Sequence, residues 1–381
     1  KGVGHTSEAA ALGASNDPTN NFWGIDPDWW FDWSSSGVTR AADASAEELL
    51  SQMAVRLADP EFVPTIWCTS DTAGAVSPAD IGTLAGQHRG RVWLMFNEPD
   101  NDGHSDSCGF YIKGNLDHSH YYTNQDWLGL GIYLADEYAK YATAILNADP
   151  TARIFTFATM QLPMPTLTVL NNPNDAYRQR ALPIWQGFLS RMVSEHSEIP
   201  IDGIVIHAYP NSFSTYHIDT IPACQGVHGG MPTWFLDPQC VERAIEDAYR
   251  FFQGTENPQP GLTQNKPIWV TETGVLTQHT QLAWNSVKTG YQTPLMNWLT
   301  PRMAPAAQPC CAWINAVAWY STHRPVHSAS NLLMPTPMPT VVPGTPPVLG
   351  TLTPLGVAWK ETPCPNCSCP GYDCITSGDG Q

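Results

Sequence analysis

The sequence predicts a parallel α/β fold closed into a single (β/α)8 TIM barrel, and three observations lead there. Apolar runs without polar alternation recur along the chain, as strands covered on both faces require. Helical patterns lie between several of these runs, and strand alternating with helix is the mark of a parallel sheet. No Gly-x-Gly-x-x-Gly phosphate turn follows any of them, which favours a closed barrel over a doubly wound sheet.

In chain order the predicted strands are Gly2–Thr6, Trp29–Ser34, Phe62–Trp67, Val92–Asn97, Arg153–Thr159, Gly203–Ala208, Pro267–Thr271 and Ala316–Ser321. Ser45-Ala-Glu-Glu48 reads as a capping box, with Leu49, Leu50, Met53 and Leu57 on one face before Pro60 stops the helix. Ser77-Pro78 opens a short helix with proline at its first position. Trp127–Asn147 carries Leu130, Leu134, Tyr138, Tyr141 and Ile145 at helical spacing. Asp237-Pro238 begins another helix, with Val241, Ile245, Ala248 and Phe252 inward and Gly254 as its stop.

Two stretches break the repeat. Asn101–Asn124 is polar and rich in Gly, His and Tyr, and too long for an ordinary βα connection. It follows the fourth strand and so is a candidate substrate-contacting loop. Residues 334–348 are Pro/Thr-rich and read as a long loop after strand 8. The expected organisation is one barrel domain over 1–362 with loops at 101–124 and 334–348, then a Cys-rich tail at 363–381. Ten cysteines in total, including the tail cluster Cys364, Cys367, Cys369 and Cys374, read as disulfides of an exported chain. A zinc knuckle is the competing view of that tail, but no second pair of ligands lies at a helpful distance. The pairing of the cysteines is open.

Composition narrows the partners. A net charge of −17 and the lack of any basic run disfavour a nucleic-acid partner. They also disfavour an acidic polysaccharide. Only 14% of residues are charged, whereas 15 Trp and 13 Tyr are available to stack on neutral, ring-shaped ligands. No apolar run is long enough for a transmembrane helix. The chain starts at Lys1 without Met or an apolar leader, which reads as a mature or trimmed form. A monomer is expected.

The chemistry is concentrated in two segments, Val92–Asp100 (VWLMFNEPD) and Lys266–Val275 (KPIWVTETGV). Each is an apolar run that stops at a glutamate, Glu98 in the first and Glu272 in the second. A buried strand ending in a carboxylate lifts one ionisable group out of the core at a fixed height. In a barrel the C-terminal strand ends carry the reaction, and these glutamates end strands 4 and 7. Two such carboxylates converging on one site are what hydrolysis of a glycosidic bond requires, one as proton donor and the other as nucleophile or base.

With these segments in view the chain resembles the clan A retaining glycosidases, and within them glycoside hydrolase family 128, the alkali-sensitive-linkage-like endo-β-1,3-glucanases. The resemblance rests on Lys1-Gly-Val-Gly4, Trp29-Trp-Phe-Asp-Trp33, Glu61-Phe-Val-Pro64 through Trp67, Phe96-Asn-Glu-Pro-Asp100, Ile201-Asp-Gly-Ile-Val-Ile-His207 and Lys266-Pro-Ile-Trp-Val-Thr-Glu272. These segments occur in order over roughly residues 1–322. The loop at 101–124, the segment Asn211–Trp234, the Pro-rich loop and the Cys tail depart from the family pattern. The resemblance implies a (β/α)8 barrel and a secreted, retaining, endo-acting hydrolase of a neutral β-glucan, most of all β-1,3-glucan.

Roles follow from that alignment of motifs. Glu98 is expected to be the acid/base, kept able to donate its proton by burial and by its partner's charge. Glu272 is the expected nucleophile. Asn97 would donate to the sugar 2-hydroxyl. His207 and Tyr209, ending strand 6, would orient Glu272 or bind a hydroxyl. Trp33, Trp67 and Trp319 end strands 2, 3 and 8 at heights suited to stacking on a pyranose, with Asp32 as a lesser hydroxyl partner. His104, His118 and His120 share one loop but match no compact ligand set, so no metal is expected, and both half-reactions need only carboxylates and water, without a cofactor. The alternatives are a clan relative acting on xylan, mannan or an arabinofuranoside, and a carbohydrate-binding barrel without catalysis.

Overall fold

The computed structural model describes residues 2–5, 29–32, 53–54, 57, 62–70, 75–101, 108, 124–160, 162–163, 180–209, 238–253, 257, 259–274, 287–303 and 314–319. Among these are eight strands: β1 (Gly2–His5), β2 (Trp29–Asp32), β3 (Thr65–Ile66), β4 (Val92–Met95), β5 (Arg153–Phe155), β6 (Ile204–Ala208), β7 (Ile268–Thr273) and β8 (Ile314–Trp319). Every pairing is parallel. One sheet runs β2-β1-β8-β7-β6 and the other β3-β4-β5. A bridge between Phe155 and Gly203, with Thr156 N–H donating to Gly203 O at 3.0 Å, lays β5 beside β6. From β3 to β8 and on through β1 to β2, each strand therefore neighbours the next in sequence. That is the cyclic order of a (β/α)8 barrel, and only the seam between β2 and β3 lies outside the described pairings.

The helices are α1 (Pro78–Gln87), α2 (Asn124–Ala148), α3 (Ala181–Glu195), α4 (Pro238–Phe252), the short α5 (Pro260–Thr263) and α6 (Thr293–Met303), the last entered through a π-turn at Lys288–Gln292. α1 starts as its sequence dictates: the Ser77 side chain accepts from Asp80 N–H at 3.2 Å, and proline follows at the first helical position. α2 and α4 contain the helices expected from their periodicity. α3 was not among the expected helices, and it contains Pro183. That proline sits in the first turn, where a missing N–H has no intrahelical partner to lose. Ile184, Trp185, Phe188, Leu189 and Met192 then bury one face of α3.

Strand limits differ from expectation where the backbone cannot pair. β3 is confined to Thr65–Ile66 rather than Phe62–Trp67, since Pro64 has no N–H to give and only accepts, from Leu94 N at 3.0 Å. β5 ends at Phe155 instead of Thr159. β8 begins at Ile314, ahead of the expected Ala316. The Ser45–Leu57 helix is described only at Met53, Ala54 and Leu57, the loop at 101–124 only at Asn101, Cys108 and Asn124, and the Pro-rich loop and the Cys-rich tail not at all.

The core divides as a barrel should. Val92 and Leu94 of β4 point into an inner cluster with Val63, Phe155, Val205, Tyr209, Trp269, Ala316 and Ala318. Trp93 and Met95 point outward into a larger cluster shared with α1 to α4 and α6. Gly203 lies against the Phe155 ring, where a Cβ would sit 2.2 Å from it, so glycine is required there. One disulfide is described, Cys68–Cys108. No helix among the described residues is long and apolar enough to cross a membrane.

Candidate active site

Glu98 reaches its place through an unusual backbone. After Met95 both Phe96 (φ 47°) and Glu98 (φ 42°) adopt the left-handed region, although neither is glycine. Such residues cost roughly 1–3 kcal/mol each and persist only where neighbours over-determine them. The neighbours are present on both sides. Phe96 and Asn97 N–H donate to Ile66 O and Trp67 O on the β3 side, the latter at 3.3 Å. Glu98 N–H donates to Ala158 O at 2.8 Å on the β5 side, and Asn101 N–H closes a turn onto Glu98 O at 2.9 Å. The first kink turns Phe96 out against Tyr141, with ring centroids 6.1 Å apart.

The turn is pinned from behind. Asp100 is fully buried; its Oδ1 accepts from Met160 N–H at 2.6 Å, and its carbonyl accepts from Arg180 Nη1 at 2.9 Å. The Arg180 guanidinium in turn lies 4.8 Å from the Trp127 ring centre.

On the other side of the barrel β6 and β7 run in register so that His207 is the direct partner of Glu272, with an irregularity between Ile206 and His207. The two glutamates meet over this imidazole. His207 Nδ1 is 2.8 Å from Glu98 Oε1 and 3.5 Å from Glu272 Oε2. Asn101 Nδ2 donates to Glu98 Oε2 at 2.8 Å, and the Tyr209 hydroxyl donates to Glu272 Oε2. Glu98, His207 and Glu272 are 6%, 2% and 3% exposed, so each charge is balanced chiefly by the others. Burial alone drives the His207 imidazolium toward losing its proton. The charge of Glu272 and the hydrogen bond and charge of Glu98, with Asp100 adding, outweigh it and hold His207 above the ordinary histidine value.

Of the residues expected in the site, Glu98, Glu272, His207 and Tyr209 converge. Asn97 is buried beside them, bridged to Ala158. Trp67 is half-buried and packs against the inner cluster of the barrel. The backbones of Asp32 and Trp319 flank β1 at its C-terminal half, opposite His5 and Val3; their side chains, and Trp33, His104, His118 and His120, lie outside the described residues. Two neighbours of the site were not singled out by the sequence reading, although Asn101 opens the candidate substrate-contacting loop. Asn101 is found only through the tight turn at Pro99. Tyr291 reaches the end of β7 through the π-turn, its hydroxyl 2.9 Å from Thr273 Oγ1.

The described residues offer one group able to share a metal ion, the same Glu98, His207 and Glu272, whose ligand atoms lie within 4.8 Å of one another. The arrangement is that of two acids held apart and in line by an imidazole.

No protein-family model and no curated protein matches the sequence. Among solved structures the chain is similar to a GH128 (subgroup II) endo-β-1,3-glucanase from Pseudomonas viridiflava, at 16% identity and TM-score 0.45 over 95% of this chain and 97% of that one. It is similar to a GH128 (subgroup IV) endo-β-1,3-glucanase from Lentinula edodes, at 10% identity and TM-score 0.47 over 94% and 98%. A GH86 protein in complex with neoagarooctaose is similar at 9% identity and TM-score 0.51, over 94% of this chain and 58% of that one. The family named from the sequence motifs thus reappears among the structural likenesses. At these identities what the GH86 likeness establishes is a shared fold.

Proposed function

We propose that the chain is a retaining glycoside hydrolase, with Glu98 as acid/base and Glu272 as nucleophile. One observation carries this: carboxylates from β4 and β7, remote in sequence, both lie within reach of the same His207 nitrogen, at 2.8 and 3.5 Å. Ligand atoms within 4.8 Å agree with the short carboxyl separation of retaining enzymes, about 5–5.5 Å, and leave no room for the water that inverting enzymes hold across roughly 6.5–9.5 Å. In the first step Glu272 attacks the anomeric carbon while Glu98 passes its proton to the departing glycosidic oxygen. In the second, Glu98 takes a proton from water, the water oxygen bonds the anomeric carbon, and Glu272 leaves. Tyr209 keeps Glu272 oriented, and Asn101 fixes the rotamer of Glu98.

The substrate we infer is a neutral β-glucan, foremost β-1,3-glucan, cleaved internally by a secreted enzyme. The net charge of −17 supports a neutral chain, the motif resemblance supports the β-1,3 linkage, and the Cys68–Cys108 bond supports an oxidising compartment. The test is hydrolysis of β-1,3-glucan, mixed-linkage glucan, xylan and mannan, following reducing ends and the anomer first released. β-1,3-Glucan is expected to be cleaved fastest, with the β-anomer appearing first. Glu98→Gln should lower kcat by about 10²–10⁴-fold, and Glu272→Gln should abolish turnover. Unimpaired activity in either variant would remove the mechanism.

A further inference from the structure

We propose that the Cys68–Cys108 disulfide is a positioning element for the acid/base arm; the proposal rests on reading Glu98 as that acid/base. The arm is built against the preference of its own backbone, since Phe96 and Glu98 both lie at positive φ. It stays in place only while the segments on either side hold it. On the β5 side the anchor, Ala158, is buried in the inner cluster. On the β3 side the anchors are the carbonyls of Ile66 and Trp67, at the end of a strand of only two residues. So short a strand cannot fix its own tip through ladder hydrogen bonds.

The disulfide compensates at that point. Cys68 directly follows Trp67, and its partner Cys108 lies in the connection that leaves Glu98. The bond therefore closes a covalent ring, spanning a separation of 40 residues, inside which lie α1, β4 and the whole acid/base arm. Cys108 is fully buried, and its Sγ rests 3.9 Å from Trp67 O, the carbonyl that receives Asn97 N–H. The next two residues are tied to α2: Tyr133 donates to Thr69 Oγ1 at 2.7 Å, and Ser70 N–H donates to Glu137 Oε2 at 2.8 Å. These contacts hold the outer side of the segment. The disulfide adds a covalent tie from it to the chain that carries Glu98, beside the Phe96 and Asn97 hydrogen bonds to Ile66 O and Trp67 O.

A positioning role makes a prediction that a merely stabilising one does not. Bond cleavage with a sugar as leaving group needs the proton of Glu98, whereas a dinitrophenolate departs without it. Cys68→Ser/Cys108→Ser is therefore expected to lower kcat/KM on a β-1,3-gluco-oligosaccharide by about tenfold or more, since small misplacements of a catalytic group can cost up to about 10²-fold. On 2,4-dinitrophenyl β-laminaribioside kcat/KM should be unchanged. Glu98→Gln serves as the reference, with the same selectivity and a larger loss. Equal losses on both substrates, or none on either, overturn the proposal, because displacement of Trp67 or partial unfolding affects both alike. If Glu98→Gln itself lacks the selectivity, the acid/base assignment fails instead. Should the double variant not accumulate in folded form, the same ratio is read on wild-type protein reduced under native conditions. Far-UV circular dichroism then reports the fold, and alkylation of Cys68 and Cys108 reports the bond.

Discussion

Two carboxyl groups this close and mostly out of water cannot both ionise freely: one keeps its proton, or a positive charge lies beside them. His207 lies between them, and the charges of both favour its protonated form. Replacing it with Leu removes both the donor and the charge, and should lower kcat by about 10- to 100-fold through misplacement of Glu98. His207→Asn keeps a donor near the Nδ1 position and should recover part of the loss. The pH profile separates the two contributions. Because the folded-state value of His207 is raised, its stabilising proton is fully present below the ordinary value near 6.5. That contribution is lost as pH rises through the folded value. The alkaline limb of kcat should therefore shift or flatten in His207→Asn, and an unchanged limb would assign it to another group. Most of this site was legible in the sequence, since Glu98, His207 and Glu272 each end an apolar run that a barrel aims toward one rim. Asn101 and Tyr291 were not legible. One depends on a turn three residues beyond the acid, the other on a π-turn that leaves no periodic trace.

At the level of elements, the pair α2 and α3 shows why a helix can be missed and still be firmly specified. Its interface is set by two glycines rather than by apolar spacing. A Cβ on Gly131 would lie 2.0 Å from Ile184 O, and one on Gly187 would lie 2.2 Å from Leu128 O. The helices thus cross backbone to backbone, and Trp185 and Phe188 fill the space beside the contact, stacked and edge-on against Phe157 at 4.5 and 5.0 Å. A reading based on large residues sees the aromatic face of α3 but not what it packs against. Gly131→Ala should destabilise the protein by about 1–3 kcal/mol, because the helices must separate to admit the methyl group. Gly86→Ala in α1 is the control. Gly86 is exposed, and its added Cβ would meet Ala148 Cβ at 3.5 Å and Ala148 O at 3.7 Å, both ordinary contacts. It should stabilise by about 0.4–1 kcal/mol through the unfolded chain. Chemical denaturation of the two variants should give shifts of opposite sign, and a Gly131→Ala protein as stable as wild type would refute the close crossing.

Across the whole molecule the two ends of the strands do different work. The C-terminal end holds Glu98, His207 and Glu272. The N-terminal end holds charged residues that tie strands and connections together: Arg91 donates to Leu57 O at 2.8 Å, and Asp202 accepts from Ile154 N–H at 2.8 Å. Asp202 is there at a cost. Burial pushes its carboxyl up, and the Ile154 hydrogen bond with the charges of Lys266 and Arg153 only partly reverses this. The folded state then binds more protons than the unfolded one, so stability falls as pH rises from about 3.9 through the raised folded value. On the outer surface Asp136 does the reverse. Burial alone would raise it, but bonds from Arg191 (2.8 Å) and His196 (2.7 Å) outweigh that and hold it low. Its contribution is present above the ordinary carboxylate value and is lost as pH falls through the folded one. Thermal unfolding between about pH 3 and 8 should therefore show two differently shaped differences from wild type. Asp202→Asn, which keeps an acceptor for Ile154, should be the more stable protein near neutrality, with its advantage fading toward acid. Asp136→Asn should be the less stable near neutrality, with its deficit fading toward acid. Neither change touches the proposed catalytic rim, so kcat at 25 °C should stay at the wild-type value in both. A loss of activity in Asp202→Asn would mean that the two ends of the barrel are coupled rather than separate.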